Sequence, residues 1–349
     1  MQVPMPDLLR QVSRSFYLTL RVLPSAIRPQ IGLAYLLART TDTIADTQLI
    51  SVGHRRAALR QMRAAILAIA EGHPAEMPDF GPLAAAQEVP AGQGSCAEKV
   101  LLENAVDLFE ALGALKPDDT RRVRDLLEII IRGQESDLAR FGSASAGQIA
   151  ALDTENDLEE YTYRVAGCVG EFWTRICRAH LFAKADIDDT FLLTSGIRFG
   201  KGLQMVNILR DLPADLRQGR CYIPQARLQE CGLEPEALLH AEEMGRFRPL
   251  YASYLEQARD ALAAGWSYTN SLPQNEMRVR LACAWPALIG VRTLAQLRAG
   301  NVLDDRRRIK VSRGEVRRIV VRSLICYPNR RAWNRLFDWA GAGPRRWPL

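Results

Sequence analysis

The sequence lacks paired cysteines, long apolar runs and metal-type histidine spacing, and each absence excludes a class of protein. Its seven cysteines are scattered without a Cys-x-x-Cys pair, which argues against a disulfide framework or a zinc site and favours reduced thiols in a cytoplasmic protein. No run of about 18 apolar residues occurs, so we expect no membrane-spanning helix. The first residues show no signal-peptide pattern, and the four histidines lie far apart. Without a Gly-x-Gly-x-x-Gly motif, a Rossmann dinucleotide-binding domain is not expected.

The composition is that of a globular protein with one basic end. Of 349 residues, 48% are hydrophobic and 25% are charged, which excludes wholesale disorder and is sufficient for a sizeable core. The net charge is +6, yet residues 301–349 alone contain 13 basic and four acidic side chains. The basic excess therefore belongs to the C-terminal end of the chain. We expect no nucleic-acid partner.

Apolar residues recur at intervals of three and four along most of the chain, as in amphipathic helices. Alternating strand-type runs are scarce, while Gly- and Pro-rich breaks fall at residues 72–94 and 212–224. Pro213 is expected to kink any helix that passes through it. The pattern predicts one all-α domain over residues 1–328, followed by a basic aromatic tail at residues 329–349.

The first chemically informative segment runs from Tyr35 to Asp46. Asp42 and Asp46 are four residues apart, so a helix places both carboxylates on one face, one turn apart, where they repel each other. A bound cation would offset that repulsion. Tyr35 and Arg39 lie on the same stripe and add a hydroxyl and a guanidinium. Acidic pairs at this spacing are also common on solvated helix surfaces, although the apolar neighbours of this pair weaken that alternative. Another acidic pair, Asp118 with Asp119, is interpreted as a solvated helix cap.

A second stripe comprises Asn207, Asp211 and Asp215, again at intervals of four. Oxygen ligands without histidine or cysteine suit Mg²⁺, whose coordination shell is usually completed by water and substrate phosphates. The neighbouring Arg210 is suited to diphosphate oxygens. Two such stripes, facing each other in a helical bundle, would hold a metal–diphosphate cluster above an apolar cavity.

Four segments, in this order, resemble the squalene/phytoene synthase family of head-to-head isoprenyl diphosphate synthases. They are SRSFYLTLRVLP, YLLARTTDTIAD, YTYRVAGCVG and LQMVNILRDLPADLRQGRCYIP. The resemblance covers residues 13–314 and implies an all-α isoprenoid-synthase helical bundle with a central apolar cavity and Mg²⁺-dependent ionisation of prenyl diphosphates. Two further segments, RLACAWPALIGVRTLAQL and IKVSRGEV, resemble squalene synthases more than phytoene or dehydrosqualene synthases.

The resemblance also implies roles for individual residues. The implied Mg²⁺ ligands are Asp42, Asp46, Asn207, Asp211 and Asp215. The implied diphosphate contacts are Ser13, Arg14, Ser15, Tyr35, Arg39 and Arg210. The implied residues near the reacting double bonds are Val165, Val169, Gly170 and Gln204. Tyr161 matches the tyrosine implicated in catalysis, and Lys310 and Arg313 match contacts of NADPH or NADH, with an ordinary basic surface as the alternative for these two.

The activity implied by the resemblance is that of a squalene synthase. Two farnesyl diphosphates would be joined head to head through a cyclopropyl (presqualene) diphosphate, which NADPH would then reduce to squalene. Two alternatives remain open: a phytoene or dehydrosqualene synthase, which uses no reductant, and a non-catalytic helical scaffold at a membrane. The acidic ligands argue against the scaffold, because carboxylates that repel each other in an apolar setting serve no structural end.

The basic end suggests peripheral contact with the inner face of a membrane. In a helix, Trp333, Leu336, Phe337 and Ala340 share one face with arginines off it, which is typical of an interfacial helix. We therefore expect the segment after Asn301 to touch a membrane surface without crossing it. The alternatives are that these aromatic side chains pack onto the helical domain, or that the arginines bind the phosphate of NADPH.

Overall fold

Almost all the regular secondary structure of the described residues is helical, as expected. A computed structural model describes residues 4–13, 17–47, 50–86, 96–145, 147–304, 306 and 309–342. The all-α fold is confirmed, since the described sheet structure amounts to one short parallel pair of strands. The chain divides into two compact units: unit 1 comprises Met1–Gly142 and Phe172–Lys184, and unit 2 comprises Ser143–Glu171 and Ala185–Leu349. The division at residues 328 and 329 stays a prediction.

Unit 1 contains helices whose apolar faces form its core. They are α1 (Met5–Val12), α2 (Tyr17–Val22), α3 (Arg28–Asp46), α4 (Val52–Ala70), α5 (Gly81–Ala86), α6 (Cys96–Glu103), α7 (Ala105–Gly113) and α8 (Pro117–Phe141). Helix α8 packs against both α3 and α4. The break predicted at residues 72–94 falls between α4 and α6, and the short α5 lies within it.

Asp119, at the start of α8, is the buried centre of a polar cluster in unit 1. It is 1% exposed and lies 2.9 Å from His180 Nε2, while Arg122 and Gln30 donate to it at 2.7 and 3.2 Å. Burial by itself would raise the pKa of Asp119, but the hydrogen bonds from His180, Gln30 and Arg122 lower it overall. The interpretation of Asp119 as a solvated cap was therefore wrong, because partners distant in sequence enclose it; Asp118 is exposed and pairs with Arg121.

Unit 2 is built around three long helices that pack on one another, α11, α13 and α14. Its elements are β1 (Ala150–Ala151), α9 (Glu155–Thr162), a π-helical turn (Tyr163–Gly167), α10 (Cys168–His180), α11 (Asp189–Arg217), β2 (Arg220–Cys221), α12 (Gln225–Glu230), two 3₁₀ turns (Pro235–Leu239 and Ala241–Glu243), α13 (Met244–Ser271), α14 (Met277–Ala299), α15 (Arg313–Cys326), α16 (Arg330–Asn334) and α17 (Leu336–Gly341). Residues of α10 from Phe172 onward belong to unit 1.

Helix α11 continues through Pro213, so the break predicted to begin at residue 212 was placed too early. A proline has no N–H to donate to the carbonyl four residues before it, which here is the carbonyl of Leu209. The hydroxyl of Tyr251, on α13, donates to that carbonyl at 3.0 Å instead. Burial raises the pKa of Tyr251, so its hydroxyl stays a donor. This substitute bond keeps the second acidic stripe on one continuous helix.

The aromatic face of the C-terminal helices packs onto unit 2. Trp333, Leu336, Phe337 and Ala340 are all buried, and Trp266 of α13 stacks on Trp333 and Phe337 with ring centroids 5.3 and 6.1 Å apart. The expectation that this face contacts a membrane was therefore wrong. An apolar stripe on a helix can pack equally well on lipid or on a protein core, and here it packs on Trp266.

The cysteines whose side chains are described form no disulfide. Six cysteines with described side chains are free thiols, and burial raises the pKa of Cys168 and Cys221 to about 12. These two thiols are therefore packing groups rather than nucleophiles. Within the described residues, no helix has both the length and the apolar character needed to traverse a bilayer.

Candidate active site

Helix α3 carries the first acidic stripe in unit 1. Pro29 lies in its first turn, where the missing N–H costs nothing. Its apolar side chains are buried, and Thr40, Thr41 and Thr43 are buried too, with hydroxyls that donate to carbonyls of the same helix at 2.7–3.0 Å. Beyond the first turn of α3, the residues that are not buried lie on the face of the acidic stripe, where Asp42 is half-buried and Asp46 is exposed.

The carboxyl group of Asp42 is in an unusual electrostatic environment. Burial and the neighbouring Asp46 raise the pKa of Asp42 to about 7, against the opposing effects of Arg39 and of a hydrogen bond from Gln134. Gln134 Nε2, on α8, donates to Asp42 Oδ1 at 2.7 Å. The other end of that amide, Gln134 Oε1, is buried without a hydrogen-bond partner among the described residues. The carboxyl group of Asp42 is therefore in an environment that disfavours its charged form, beside an amide whose oxygen is buried and unsatisfied among the described residues.

The other residues implied for unit 1 are placed as follows. Arg39 pairs with Glu98 at 2.6 Å, and its buried Nε has no partner within the described part of the chain. Tyr35 donates to the carbonyl of Val12 at 3.3 Å. Ser13 is buried and donates to the carbonyl of Leu9. Arg14 and Ser15 lie outside the described residues. The orphaned N–H of Arg39 fits a residue that binds an anion such as diphosphate.

Helix α11 carries the second stripe, in unit 2. Asp211 and Arg210 form an ion pair in which Arg210 Nε donates to Asp211 Oδ1 at 3.0 Å. Asp215 follows one turn later and is half-buried, whereas Asn207 is exposed. The continuity of α11 through Pro213 keeps Asn207, Asp211 and Asp215 on one face, with Arg210 next to that face.

Tyr161 is held against the second stripe by two side chains. Its ring stacks on that of Tyr222, with centroids 4.5 Å apart. Gln204 Nε2 donates to the Tyr161 hydroxyl at 3.5 Å, and Gln204 Oε1 accepts from Asn207 Nδ2 at 3.4 Å. Both bonds are long, yet they form a continuous polar chain from the acidic stripe to the phenol. Gln204 is therefore placed to orient Tyr161.

The implied cavity residues of unit 2 have different surroundings. Val165 lies half-buried in the π-helical turn, and Val169 is 38% exposed. Gly170 lies against the backbone of α11: a Cβ on it would be 2.0 Å from the carbonyl oxygen of Gly196. In this structure Gly170 permits the close approach of two helices, and its contact with substrate stays a prediction.

The residues present fit Mg²⁺ by their chemistry. No three histidine, cysteine, aspartate or glutamate side chains among the described residues are grouped for a metal ion. Mg²⁺ keeps several waters and takes one or two carboxylates plus substrate phosphates. Each stripe therefore carries enough carboxylates to bind one such ion. A divalent cation beside Asp42 would stabilise the charged carboxylate that burial disfavours. The ligand roles stay predictions.

Lys310 and Arg313, the implied nicotinamide contacts, are both exposed, just before and at the start of α15. Neither side chain has a hydrogen bond or ion pair with the described residues. Glu315 is engaged elsewhere, because it caps α15 and pairs with the buried Arg292 at 2.8 Å. The two cations are thus free to bind phosphate groups. An ordinary basic surface would have the same exposure, so both interpretations of these residues stay predictions.

Sequence reasoning missed three partners of the site residues. They are Glu98, Gln134 and Tyr222, which contact Arg39, Asp42 and Tyr161 respectively. None of the three lies at a sequence spacing that would indicate a functional residue. Only Tyr222 lies inside a segment that resembles the family, RCYIP, and that resemblance was the one available signal.

Comparison with curated proteins gives moderate identity. The chain is 29% identical over 293 residues to a bifunctional lycopene cyclase/phytoene synthase of Blakeslea trispora, covering 81% of this chain and 43% of that protein. It is 29% identical over 221 residues to a presqualene diphosphate synthase of Zymomonas mobilis, covering 63% of this chain and 60% of that protein. The chain thus spans about half the length of these relatives.

Solved structures and a family sequence model complete the comparison. TcSQS bound to the ligand E5700 matches with a TM-score of 0.72 and 20% identity over 97% of both chains. Squalene synthase HpnC from Alicyclobacillus acidocaldarius matches with a TM-score of 0.60 and 18% identity over 84% of this chain and 92% of that one. At these identities the structures show a common fold. Since the sequence model of squalene/phytoene synthases matches residues 9–315, which include both acidic stripes and Tyr161, the chain belongs to the squalene/phytoene synthase family.

Proposed function

We propose that the protein joins two farnesyl diphosphates head to head through a cyclopropyl diphosphate and reduces that intermediate with NADPH to squalene. The observation that carries the proposal is the pair Asp42 and Asp46 on one face of α3, where the half-buried Asp42 accepts from Gln134 and a cation would stabilise its charged form. Bound Mg²⁺ would supply electrostatic stabilisation of the departing diphosphate. Arg39 in unit 1 and Arg210 in unit 2 are each assigned as a contact of diphosphate oxygens.

The residues of unit 2 have a separate task in this proposal. After ionisation the allylic cation is attacked by the double bond of the second substrate, and a proton must leave to close the cyclopropane ring. Tyr161, oriented by Gln204 and stacked on Tyr222, is the group we assign to assist that proton transfer. Lys310 and Arg313 are the assigned contacts of the NADPH phosphates.

A second candidate is a phytoene synthase that joins two geranylgeranyl diphosphates without a reductant. It is favoured by the similarity to the Blakeslea trispora protein, whose name includes that activity. The Zymomonas mobilis relative, named a presqualene diphosphate synthase, suggests that the reaction can also stop at the cyclopropyl intermediate. The same acidic stripes and arginines serve all three reactions.

The test is product analysis. The full chain is incubated with Mg²⁺ and either farnesyl or geranylgeranyl diphosphate, with and without NADPH, and the lipid products are identified by mass spectrometry. Squalene formed from farnesyl diphosphate only with NADPH supports the proposal. A C40 hydrocarbon from geranylgeranyl diphosphate supports the second candidate, and presqualene diphosphate unchanged by NADPH shows that the reductive step is absent. No product with either substrate would contradict the proposed activity.

Tyr161→Phe is expected to lower kcat about 100-fold with little change in KM, because it removes one hydroxyl and almost no volume. The ring stack on Tyr222 should persist. Steady-state kinetics with farnesyl diphosphate give both constants. Tyr163→Phe is the matched control. Tyr163 lies two residues after Tyr161, and the hydroxyl that this change deletes donates to Glu171 at 3.2 Å. A rise in KM with unchanged kcat for Tyr161→Phe would instead make Tyr161 a binding residue.

We also propose that the protein contacts an anionic membrane surface, now through α15 rather than through the buried aromatic face. Val321, Leu324 and Ile325 of α15 are 47%, 42% and 72% exposed. They lie at helical spacing with the exposed Arg317 on the same side. An apolar row flanked by basic side chains suits an anionic lipid surface, where each basic residue contributes about 1 kcal/mol.

Replacing both Leu324 and Ile325 with serine is expected to abolish flotation of the full chain with phosphatidylglycerol vesicles at low salt. The matched control is Val106→Ser, which changes a similarly exposed apolar side chain of α7. Flotation of the wild type should fall as salt rises, since the attraction is partly electrostatic. Equal flotation of the double variant and the wild type would rule out α15 as the contact.

A further inference from the structure

A cavity of about 270 Å³ opens in unit 2 where the end of α13, the start of α14 and the turn between α15 and α16 meet. Its eight lining residues include two arginines, three side-chain amides and two aromatic rings, and none of them is acidic. None belongs to α11, the helix of the second acidic stripe. The lining is therefore basic and rich in hydrogen-bond donors.

Arg280 is the buried cation of this cavity. It is 8% exposed and donates to the carbonyl of Leu272 at 2.6 Å, with longer bonds of 3.4 Å to the carbonyl and the side-chain oxygen of Asn270. Its guanidinium carbon lies 5.7 and 5.6 Å from the ring centroids of Tyr327 and Trp333. Among the described residues, its Nε has no hydrogen-bond partner and no carboxylate forms an ion pair with it.

Arg330 adds a second positive charge at the same cavity. Its side chain is exposed and makes no hydrogen bond or ion pair with the described part of the chain. Both guanidinium groups line this cavity, so their positive charges repel each other, and burial together with the charge of Arg330 lowers the pKa of Arg280. A buried cation without a counter-charge is costly in free energy. An anion between the two groups would offset both the burial and the repulsion.

The amides of the cavity are set to donate to such an anion. Trp333 Nε1 donates to Asn270 Oδ1 at 2.7 Å, which fixes the oxygen of that amide and turns its Nδ2 into the remaining donor. Gln274 and Asn334 add exposed amides at the rim. Ligand pockets of drug-sized molecules measure about 300–1,000 Å³, so this cavity is sized for a small group.

We propose that this cavity is a binding site for a phosphate-type anion, held by Arg280 and Arg330. Guanidinium groups bind phosphate oxygens with paired, charge-assisted hydrogen bonds, and the two rings hold the Arg280 guanidinium in place. The ligand is inorganic phosphate, diphosphate, or the phosphate end of a larger molecule that extends through the opening. The inference does not depend on the proposed activity, because none of these residues is assigned a part in it.

The test is titration of the full chain, without divalent metal, with inorganic phosphate and with inorganic diphosphate. Binding is followed by calorimetry and by the indole N–H resonance of Trp333, identified with Trp333→Phe. We expect saturable binding that shifts this resonance, and at least about tenfold weaker affinity in Arg330→Gln. The matched control is Arg331→Gln, which removes the neighbouring exposed arginine that does not line the cavity and should bind like the wild type.

Two further comparisons keep the test decisive. Sulfate and chloride at matched ionic strength measure non-specific screening, and tighter binding of diphosphate than of phosphate would show that the site takes the larger anion. Equal affinity of Arg330→Gln and Arg331→Gln would overturn the proposal. So would the absence of any Trp333 shift up to about 10 mM of either anion. Because Arg280 also donates to the carbonyl of Leu272, Arg280→Lys is the second variant. If its melting temperature is unchanged, it should bind phosphate more weakly than the wild type, and equal affinity would overturn the role of Arg280.

Discussion

An Asp42→Asn variant is expected to lose at least about 100-fold in turnover of prenyl diphosphate and to melt at the same temperature as the wild type or higher. Loss of even an outer partner of a metal ligand costs about 10–100-fold, so loss of a ligand itself should cost more. The stability prediction has a different cause. Asparagine keeps the hydrogen bond from Gln134 but removes a carboxylate that burial and Asp46 destabilise.

The measurements are product formation at saturating Mg²⁺ and thermal unfolding followed by circular dichroism. Asp118→Asn is the matched control, since Asp118 is exposed and pairs only at the surface with Arg121; its turnover should match the wild type. Near-normal turnover of Asp42→Asn would remove Asp42 from the metal site. A lower melting temperature with unchanged turnover would make it a structural residue.

A Gly170→Ala variant is expected to lose about 3 kcal/mol of unfolding free energy, at the upper end of what overpacking usually costs. The added methyl carbon would lie 2.0 Å from the carbonyl oxygen of Gly196. That oxygen belongs to the backbone of a long helix, so it cannot rotate away as a side chain would. The backbones of α10 and α11 must then move apart at Gly170 and Gly196.

Urea denaturation of both the variant and a control gives the comparison. Gly245→Ala is matched, because Gly245 also lies in a helix, α13, and a Cβ there meets no atom within 4 Å. Alanine should stabilise that position by up to about 1 kcal/mol through helix propensity. Equal unfolding free energies for the two variants would contradict a packing role for Gly170. A changed product with unchanged stability would place it against substrate instead.

The sequence predicts those features of the site that depend on local periodicity. Asp42 and Asp46 share a face of α3, and Asn207, Asp211 and Asp215 share a face of α11, because a spacing of four residues is about one helical turn. The all-α fold follows in the same way from apolar spacing. The stacking of Tyr161 on Tyr222 and the hydrogen bond from Gln134 to Asp42 were not predictable, because they join residues far apart in the chain.

The errors have the same origin. The apolar face of Trp333 and Phe337 is the same for a membrane helix and for a helix that packs on protein, and only Trp266 decides between them. Asp119 has the sequence context of a solvated cap, and His180, 61 residues away, changes its environment. In each case the decisive partner comes from another helix, which periodicity within one segment does not contain.

The hydroxyl of Tyr251 has a consequence for the order in which the chain folds. Pro213 has no N–H to donate to the carbonyl of Leu209. Without the hydroxyl of Tyr251, that carbonyl would therefore lose its hydrogen bond. The turn that carries Asp211 and Asp215 therefore reaches its full stability only after α13 has docked. A long-range contact of this kind forms late, since the intervening chain must close first. The stretch of α11 that carries Asp211 and Asp215 thus takes part of its backbone hydrogen bonding from tertiary packing, and a chain in which α13 has not docked lacks that support.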